Sequence, residues 1–183
     1  MPPKQRITKT MIQERAFRVF RQEGMDRVNA RSVARELGCS TQPIFSYFSG
    51  MNELKSDIEE RAYTQFTKAI RPALAQENVL LACCCGYIDF AREEPKLFRY
   101  LFIESGRGSK GFAGDDALPA ELFEKTARFY DLSQDKARTL CLTAAAYVHG
   151  LATVMVTDAI RLDVEDAKEK TAALILREVQ ALR

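Results

Sequence analysis

The stretch VNARSVARELGCSTQPIFSYFSG, residues 28–50, contains two short helical patterns that stop and restart around a Leu-Gly pair. The first pattern is marked by its ends. Asn29 is suited to cap a helix, Val28 and Val33 stand at the two positions of a hydrophobic staple, and Gly38 can close the helix in a left-handed conformation. A short, well-delimited helix is therefore predicted here.

The second pattern begins only three residues later. Ser40 is predicted to cap it, Pro43 falls in its first turn, and Ile44 and Phe48, one turn apart, face inward. A longer amphipathic helix, from about Thr8 to Glu23, precedes both patterns. Two helices this short bury too little surface alone, so we predict that they pack on the longer helix as a helix-turn-helix unit. The second helix of such a unit is shaped to enter a major groove.

Composition and patterning favour a globular all-α protein. The chain has 183 residues, 46% of them hydrophobic, and nearly all of its periodicity is helical. It has no uninterrupted apolar run long enough to span a membrane and no signal peptide, so we expect a cytoplasmic protein without membrane contact. Of five cysteines, three are consecutive at positions 83–85, and their spacing indicates reduced thiols rather than disulfides or a metal site.

Charge is unevenly distributed along the chain. Residues 1–50 contain nine basic and four acidic residues, a net charge of +5, whereas the other 18 basic and 21 acidic residues give −3. A basic head on a mildly acidic body is typical of a polyanion-binding module joined to another domain, although an ordinary solvated surface has the same appearance.

The remaining periodicity predicts about nine helices in total, with a domain boundary after Gly50. Residues 1–50 form the predicted DNA-binding head, and residues 51–183 a larger helical domain. After the head we expect helices at about 52–72 and 76–94, a short sixth helix, a loop at 105–119, and helices at 120–130, 133–160 and 163–182.

The sequence from Glu14 to Ile58 resembles the DNA-binding head of the TetR family of bacterial transcriptional regulators. The resemblance rests on an amphipathic helix ending in Glu-Gly, a capped short helix, a Leu-Gly turn and an aromatic run, all at matching spacings. EEPKLFRYLFIES and AAYVHGLATVMV are similar to segments of the family's C-terminal domains. The resemblance implies a homodimer that binds a palindromic DNA operator, most simply as a repressor released by a small-molecule effector.

The resemblance also implies a set of DNA-contacting residues. Gln42 is expected to read a base edge, because an amide can pair bidentately with adenine, and Phe45 either follows on the DNA side or packs the head against the fourth helix. Tyr47 is expected to contact DNA rather than pack. The complete set is Arg31, Ser32, Thr41, Gln42, Pro43, Phe45, Tyr47 and Lys55.

Two positions depart from the family pattern. Phe45 replaces a common tyrosine and Met51 a common lysine, and both changes remove a usual phosphate partner. The candidates to offset the loss are Lys55, Asn52, or a flexible basic arm of Lys4, Arg6 and Lys9 that reaches an adjacent phosphate or the minor groove. The alternative function is a helical dimer that binds a small molecule or protein while its head has lost operator affinity.

The body is predicted to hold a dimer interface and an effector pocket. Small residues on the last two helices allow close approach of a partner, although such runs also occur in monomer cores. The expected interface residues are Ala144, Ala145, Gly150, Ala152, Thr171 and Ile175. The candidate pocket residues, with plain core as the alternative, are Tyr87, Phe90, Phe98, Phe102, Phe129, Tyr147 and Met155.

Few charges interrupt these body segments, so we expect an apolar or weakly polar effector. His149, the only histidine, is expected to be a packed and satisfied residue, and Cys83, Cys84 and Cys85 to be small buried residues rather than a redox sensor. The chain lacks nucleophile, phosphate-binding and metal-ligand motifs, so we predict no enzyme activity and no cofactor or metal.

Overall fold

The computed structural model describes residues 7–105 and 120–183, and the regular structure in these ranges is helical. The all-α prediction is confirmed. The helices are α1 (Lys9–Glu23), α2 (Ala30–Leu37), α3 (Gln42–Tyr47), α4 (Met51–Ile70), α5 (Val79–Glu93), α6 (Pro95–Arg99), α7 (Ala120–Tyr130), α8 (Gln134–Val156) and α9 (Val164–Leu182). A π-helical turn, Tyr100–Glu104, follows α6. Most of the predicted 105–119 loop lies outside the described residues.

The chain divides into two compact units, a head (Met1–Gln65) and a body (Phe66–Arg183). The first part of α4 belongs to the head because its side chains bind α1. Gln13 Nε2 donates to Asp57 Oδ2 at 2.8 Å, and the Arg61 guanidinium lies 4.6 Å from the Phe17 ring centroid. The boundary expected after Gly50 concerns which residues bind DNA, not which residues form a compact unit, and it stays a prediction.

The N-terminus of α2 is closed by a reciprocal capping box. Asn29 Oδ1 accepts from the backbone N–H groups of Arg31 and Ser32, and Ser32 Oγ accepts from the N–H of Asn29. Val28 and Val33 are both buried, as a hydrophobic staple requires. The predicted start of α2 is confirmed, and its local sequence alone satisfies the backbone groups there.

Gly38 ends α2 in the left-handed conformation, with φ of 65° and ψ of 33°. The next amide, that of Cys39, donates to the carbonyl of Ala34, so the last turn of the helix is satisfied. The turn into α3 therefore depends on a backbone conformation that side chains with a Cβ disfavour.

Replacing Gly38 with alanine is expected to lower the free energy of unfolding by about 1–2 kcal/mol, because a Cβ strains this conformation. Gly50→Ala is the matched control, since Gly50 has an ordinary φ and open space where a Cβ would stand. Urea denaturation of both variants measures the difference. A Gly38→Ala variant as stable as the control would contradict the strain argument.

Several helix ends differ from the predictions. Thr41, not Ser40, occupies the N-cap position of α3, and it has helical φ and ψ and makes no side-chain cap hydrogen bond. α5 begins at Val79 because Asn78 Oδ1 accepts from Leu81 N. α8 ends at Val156 instead of at about Ile160. Asp158, two residues after this end, has a positive φ of 53°.

The body is built around α5 and α8. These two helices pack on each other and both contact α7 and α9, while α6 also lies against α8. Ala144, Ala145 and Ala152 of α8 are buried in this arrangement, with Ile88, Phe98 and Leu140 among the largest fully buried side chains. The small residues of α8 therefore serve close packing within one chain.

Candidate functional site

The recognition candidate α3 has one buried side and one exposed side. Ile44 and Phe48 are fully buried, which confirms their predicted inward orientation. Gln42 is exposed at the first position of the helix, while Thr41 and Pro43 are partly exposed. The helix is thus anchored through its apolar residues and offers the amide of Gln42 to a partner.

Phe45 lies on the exposed side of α3 and has 54% of its surface accessible. A ring exposed to this extent does not pack the head against α4, so that alternative is wrong. Phe45 and Gln42 are three residues apart and share a helix face. Together they form an exposed surface with one amide and one aromatic ring.

Ser32 is not available as a phosphate ligand. Its side chain is buried, and its hydroxyl lies 2.7 Å from the carbonyl oxygen of Arg27 while accepting from Asn29 N. Its amide is used by Asn29 as well. The predicted contact is wrong because the serine completes the capping box.

Tyr47 also has an internal partner. Its hydroxyl donates to the carbonyl oxygen of Ile7 at 3.0 Å. A phenol has one proton, so in this conformation Tyr47 has none left for a phosphate oxygen, which only accepts. The hydrogen bond to Ile7 thus competes with a phosphate contact, and the expected contact of Tyr47 with DNA stays a prediction.

The cations of the head differ in their partners. Arg31 is exposed and Lys55 partly exposed, and within the described ranges neither has a carboxylate partner. Lys9 begins α1, with its ammonium 3.9 Å from Glu53 and 4.8 Å from the centroid of the Phe48 ring. The prediction that Lys9 belongs to a basic arm is wrong; the other members, Lys4 and Arg6, lie outside the described residues.

Most predicted pocket residues form a packed aromatic cluster. Tyr87, Phe90, Phe98 and Phe102 are buried and contact one another or Phe66 of α4. The Phe66 ring centroid lies 4.9 Å from that of Phe102 and 5.2 Å from that of Phe90. Such ring contacts are those of the plain-core alternative, and the pocket itself stays a prediction.

The other predicted pocket residues are spread over the body. Phe129 is exposed on α7 with its ring against Tyr130, and Tyr147 is partly exposed on α8. Met155 lines an open cavity of about 390 Å³ at the C-terminal end of α8. Arg92, Arg161 and Asp163 also border this cavity, which sequence reasoning did not anticipate because the residues are far apart in the chain.

His149 contributes a polar group at the edge of the aromatic cluster. Its Nδ1 lies 2.9 Å from the Tyr87 hydroxyl, so it is satisfied as predicted. Partial burial lowers the pKa of His149 below its ordinary value, and burial raises the pKa of the Tyr87 phenol. Both shifts keep the two groups neutral near pH 7.

The pKa of His149 predicts how stability responds to acid. Its folded pKa lies below the unfolded value of about 6.5, so the unfolded chain binds the proton more tightly. We expect the urea midpoint to fall as the pH is lowered from 7.5 to 5.5. The chain has one histidine, so His149→Gln removes the imidazole that titrates in this range. An unchanged pH dependence in that variant would assign the effect to other groups.

The cysteines do not resemble a redox sensor. Cys84 and Cys141 are buried, and burial raises the pKa of Cys83 to about 11. Burial also raises the pKa values of Cys84, Cys85 and Cys141. Because the thiolate is the reactive form, these shifts lower the reactivity of the four thiols at neutral pH.

The predicted interface residues are mostly core. The five buried ones are Ala144, Ala145, Ala152, Thr171 and Ile175. Gly150 alone of the predicted set is exposed. Burial within the chain makes the prediction wrong for the five, because a partner cannot reach them.

The opposite side of α8 carries an uncharged stripe. No Asp, Glu, Lys or Arg occurs from Thr139 to Val156. The exposed or partly exposed stripe residues are Thr139, Leu142, Thr143, Ala146, Tyr147 and Gly150, and Leu142 has 47% of its surface accessible. By length and composition α8 could also cross a membrane, but a core helix of a globular body passes the same test. An uncharged exposed stripe of this kind is a candidate surface for a partner.

Two family models match the chain. "Bacterial regulatory proteins, tetR family" matches residues 12–58, which contain α2 and α3. "Tetracyclin repressor-like, C-terminal domain" matches residues 80–179, more than half of the chain. The chain belongs to the TetR family. This family consists of DNA-binding regulators rather than enzymes, in agreement with the prediction of no enzyme activity.

The chain is also similar to a curated helix-turn-helix regulator. The uncharacterized HTH-type transcriptional regulator YobS of Bacillus subtilis (strain 168) is 20% identical over 107 residues, which are 57% of this chain and 56% of that protein. The match thus spans little more than half of YobS.

Solved TetR structures share the fold. A TetR-like transcriptional regulator from Rhodococcus sp. RHA1 aligns with a TM-score of 0.66 and 18% identity over 96% of this chain and 99% of its own. A TetR-family regulator from Streptomyces coelicolor A3 aligns with a TM-score of 0.50 and 15% identity over 97% and 99%. At such identities the likeness concerns the fold alone.

Proposed function

We propose that this TetR-family protein is a cytoplasmic, homodimeric transcriptional regulator that binds a palindromic operator as a repressor and is released by a small molecule. The observation that carries the proposal is the exposed surface of α3. Gln42 and Phe45 are exposed on this helix. Its other side is buried in the head, and the turn before it follows the left-handed end of α2. An anchored short helix with an exposed amide suits base reading in a major groove.

The contacts to DNA divide into two kinds. Gln42 is the candidate for adenine, and Phe45 can contact a thymine methyl group. Arg31 and Lys55, which lack carboxylate partners in the described ranges, are the candidates for phosphates, and Thr41 borders the same surface. The base contacts would give sequence specificity, and the phosphate contacts would give salt-dependent affinity.

The α8 stripe supports dimerisation. Leu142, Ala146 and Gly150 give a slim, uncharged surface, and Leu176 of α9 is exposed over 59% of its area. A second copy meeting these helices would bury them in a four-helix arrangement around a two-fold axis. The two recognition helices would then read half-sites about 34 Å apart, which requires a palindrome.

Release by an effector is supported by the position of Phe66. This α4 residue contacts Tyr87, Phe90 and Phe102 in the aromatic cluster. A small molecule that separates these rings would displace Phe66 and thereby α4, which continues into the head. The cluster favours an apolar molecule, and the Tyr87–His149 pair could bind one polar group. Linkage requires that operator DNA weaken effector binding equally.

A fluorescence-anisotropy titration tests the proposal. The purified protein is titrated against duplex DNA from the region upstream of its own gene and against scrambled DNA, at two salt concentrations. We expect affinity for the correct duplex to exceed that for scrambled DNA by a factor of about a thousand or more and to fall steeply with salt. A duplex selected by the protein from random-sequence DNA replaces the upstream region if the operator lies elsewhere. Failure to select any duplex would favour a dimer whose head has lost operator affinity.

A further inference from the structure

The open cavity of the body lies where α5 and α8 end and α9 begins. Its volume of about 390 Å³ is in the range of small-molecule sites, about 300–1,000 Å³. Arg92 borders it from the last turn of α5, Met155 from the last turn of α8, and Arg161 from the connection to α9. The rings of the aromatic cluster do not border it, so it is a separate site within the body.

The connection that forms one wall of the cavity is fixed at both ends. At its start the N–H of Ala159 donates to the carbonyl of Val154 at 3.1 Å, the pattern of a helix closed by a residue of positive φ, here Asp158. At its end Asp163 Oδ1 accepts from the N–H of Glu165 at 2.8 Å and caps α9. The backbone of this wall is therefore held by hydrogen bonds of its own.

Two exposed cations border the cavity without an ion pair. In the part of the chain that the structure describes, neither Arg92 nor Arg161 lies within salt-bridge distance of a carboxylate. The bordering carboxylates are Asp158 and Asp163, and Asp163 is used as the α9 cap. The guanidinium groups are therefore available to an anion that enters the cavity.

The helix dipole explains only one of these cations. Arg92 lies in the last turn of α5, where a cation is favourable in any case. Arg161 lies two residues before Asp163, close to the N-terminus of α9, where the helix dipole disfavours a cation. An anion bound between the two guanidinium groups would compensate the position of Arg161.

Apolar side chains line the same cavity. Met155, Leu162 and Val164 are partly exposed, and Ile160 has 59% of its surface accessible. Exposed apolar side chains beside a concave surface are typical of ligand-binding grooves. Combined with two guanidinium groups, they favour a ligand that has an apolar part and an anionic group.

We propose that this cavity binds a small organic monocarboxylate, with its carboxylate at Arg92 and Arg161 and its apolar part against Met155 and Ile160. A guanidinium group matches a carboxylate through two parallel hydrogen bonds. The Asp158 carboxylate favours a single charge, because it would repel a dianion twice as strongly. The inference does not depend on DNA binding or on an effector in the aromatic cluster.

Met155 is a convenient reporter of this site. The chain has five methionines, and the other four, at positions 1, 11, 25 and 51, belong to the head. The full chain is labelled with [methyl-13C]methionine and titrated with hexanoate, followed by NMR, and Met155→Leu assigns the body signal. We expect a saturable shift of the Met155 signal. Hexanamide, which is neutral and of the same length, should bind about tenfold more weakly or worse, because it lacks the charge.

Three substitutions test the assigned roles. Arg92→Gln and Arg161→Gln should each weaken hexanoate binding by about tenfold or more, the effect of losing hydrogen bonds to a charged group. Asp158→Asn should strengthen binding by about two- to fivefold, since it removes a repelling charge from a solvated site. Asparagine tolerates the positive φ at this position, so the turn should be kept.

Arg128→Gln is the matched control. Like Arg92, Arg128 is exposed in the last turn of a body helix and forms no ion pair within the described ranges, but it does not border the cavity. This variant should bind hexanoate as the unaltered chain does. Thermal unfolding of each variant establishes that the body remains folded.

Several results would overturn the inference. These are the absence of a saturable Met155 shift at millimolar hexanoate, equal affinity for hexanamide, and a loss in Arg128→Gln as large as that in Arg92→Gln. A shift that persists in both cavity arginine variants would assign hexanoate to another site. The titration contains no DNA, so its failure leaves the proposed regulator function standing, and failure to select an operator leaves this site standing.

Discussion

Replacing Leu142 with glutamate is expected to convert the protein from a dimer to a monomer. The side chain lies on the uncharged stripe of α8, and in the proposed dimer a carboxylate there would be buried without a counter-charge. An unpaired buried charge costs several kcal/mol, enough to shift a dimer equilibrium by orders of magnitude. Sedimentation equilibrium measures the change directly, and Leu176→Glu on α9 should behave in the same way.

Ile160→Glu is the control for this experiment. Ile160 is also a large apolar residue with 59% of its surface exposed, but it lies in the connection after α8 and outside the stripe. We expect this variant to stay dimeric. A dimeric Leu142→Glu protein, or equal dissociation of both variants, would place the interface elsewhere.

The monomeric variant should also lose operator affinity. Two linked heads gain about a hundredfold or more over one head by effective concentration alone. Leu142→Glu is therefore expected to bind a full palindrome no more tightly than a single half-site, although its head is unchanged. Retained preference for the palindrome would show that DNA itself assembles the two copies.

Replacing Gln42 with alanine is the second large change. If the amide pairs bidentately with adenine, its removal should cost about 1–3 kcal/mol on the selected operator and far less on scrambled DNA. Arg31→Ala provides the contrast, because removing a phosphate ligand should weaken binding to both duplexes and reduce the salt slope by about 0.9. Anisotropy at matched salt measures both variants. Equal losses of affinity on both duplexes for Gln42→Ala would exclude Gln42 from base reading.

Local sequence predicted the start and end of α2 because all the groups involved lie within ten residues. Asn29, Ser32 and Gly38 satisfy neighbouring backbone groups, and a sequence pattern contains that information. The predicted α3 cap, Ser40, was wrong for a related reason. Ser40 and Thr41 are both good capping residues, and the structure has Thr41 at the N-cap position without a side-chain cap hydrogen bond.

The wrong predictions have two causes: hydrogen-bond partners that are distant in sequence, and helix faces with the same apolar composition. Tyr47 binds Ile7 across 40 residues, which no local pattern reveals. In α8 both sides are apolar, so periodicity could not distinguish the side that packs on α5 from the side that faces outward. Ala144 and Ala152 consequently suggested an interface, whereas Leu142 and Ala146 are the residues that the structure leaves exposed.

The aromatic residues of the body illustrate the same limit. Their spacing indicated buried rings at Tyr87, Phe98 and Phe102, which the structure confirms. Whether buried rings enclose a space or fill it depends on the distance between the helices that carry them. The sequence contains no direct measure of that distance.

The raised pKa values of the body thiols also affect which cysteine a chemist can modify. Burial raises the pKa values of Cys83, Cys84, Cys85 and Cys141, so each holds less of the thiolate, the form that attacks alkylating reagents, than an unburied thiol. Cys39 lies partly exposed in the turn between α2 and α3. A maleimide dye should therefore attach selectively beside the recognition candidate. The unaltered protein then carries an optical reporter at the point where DNA would arrive.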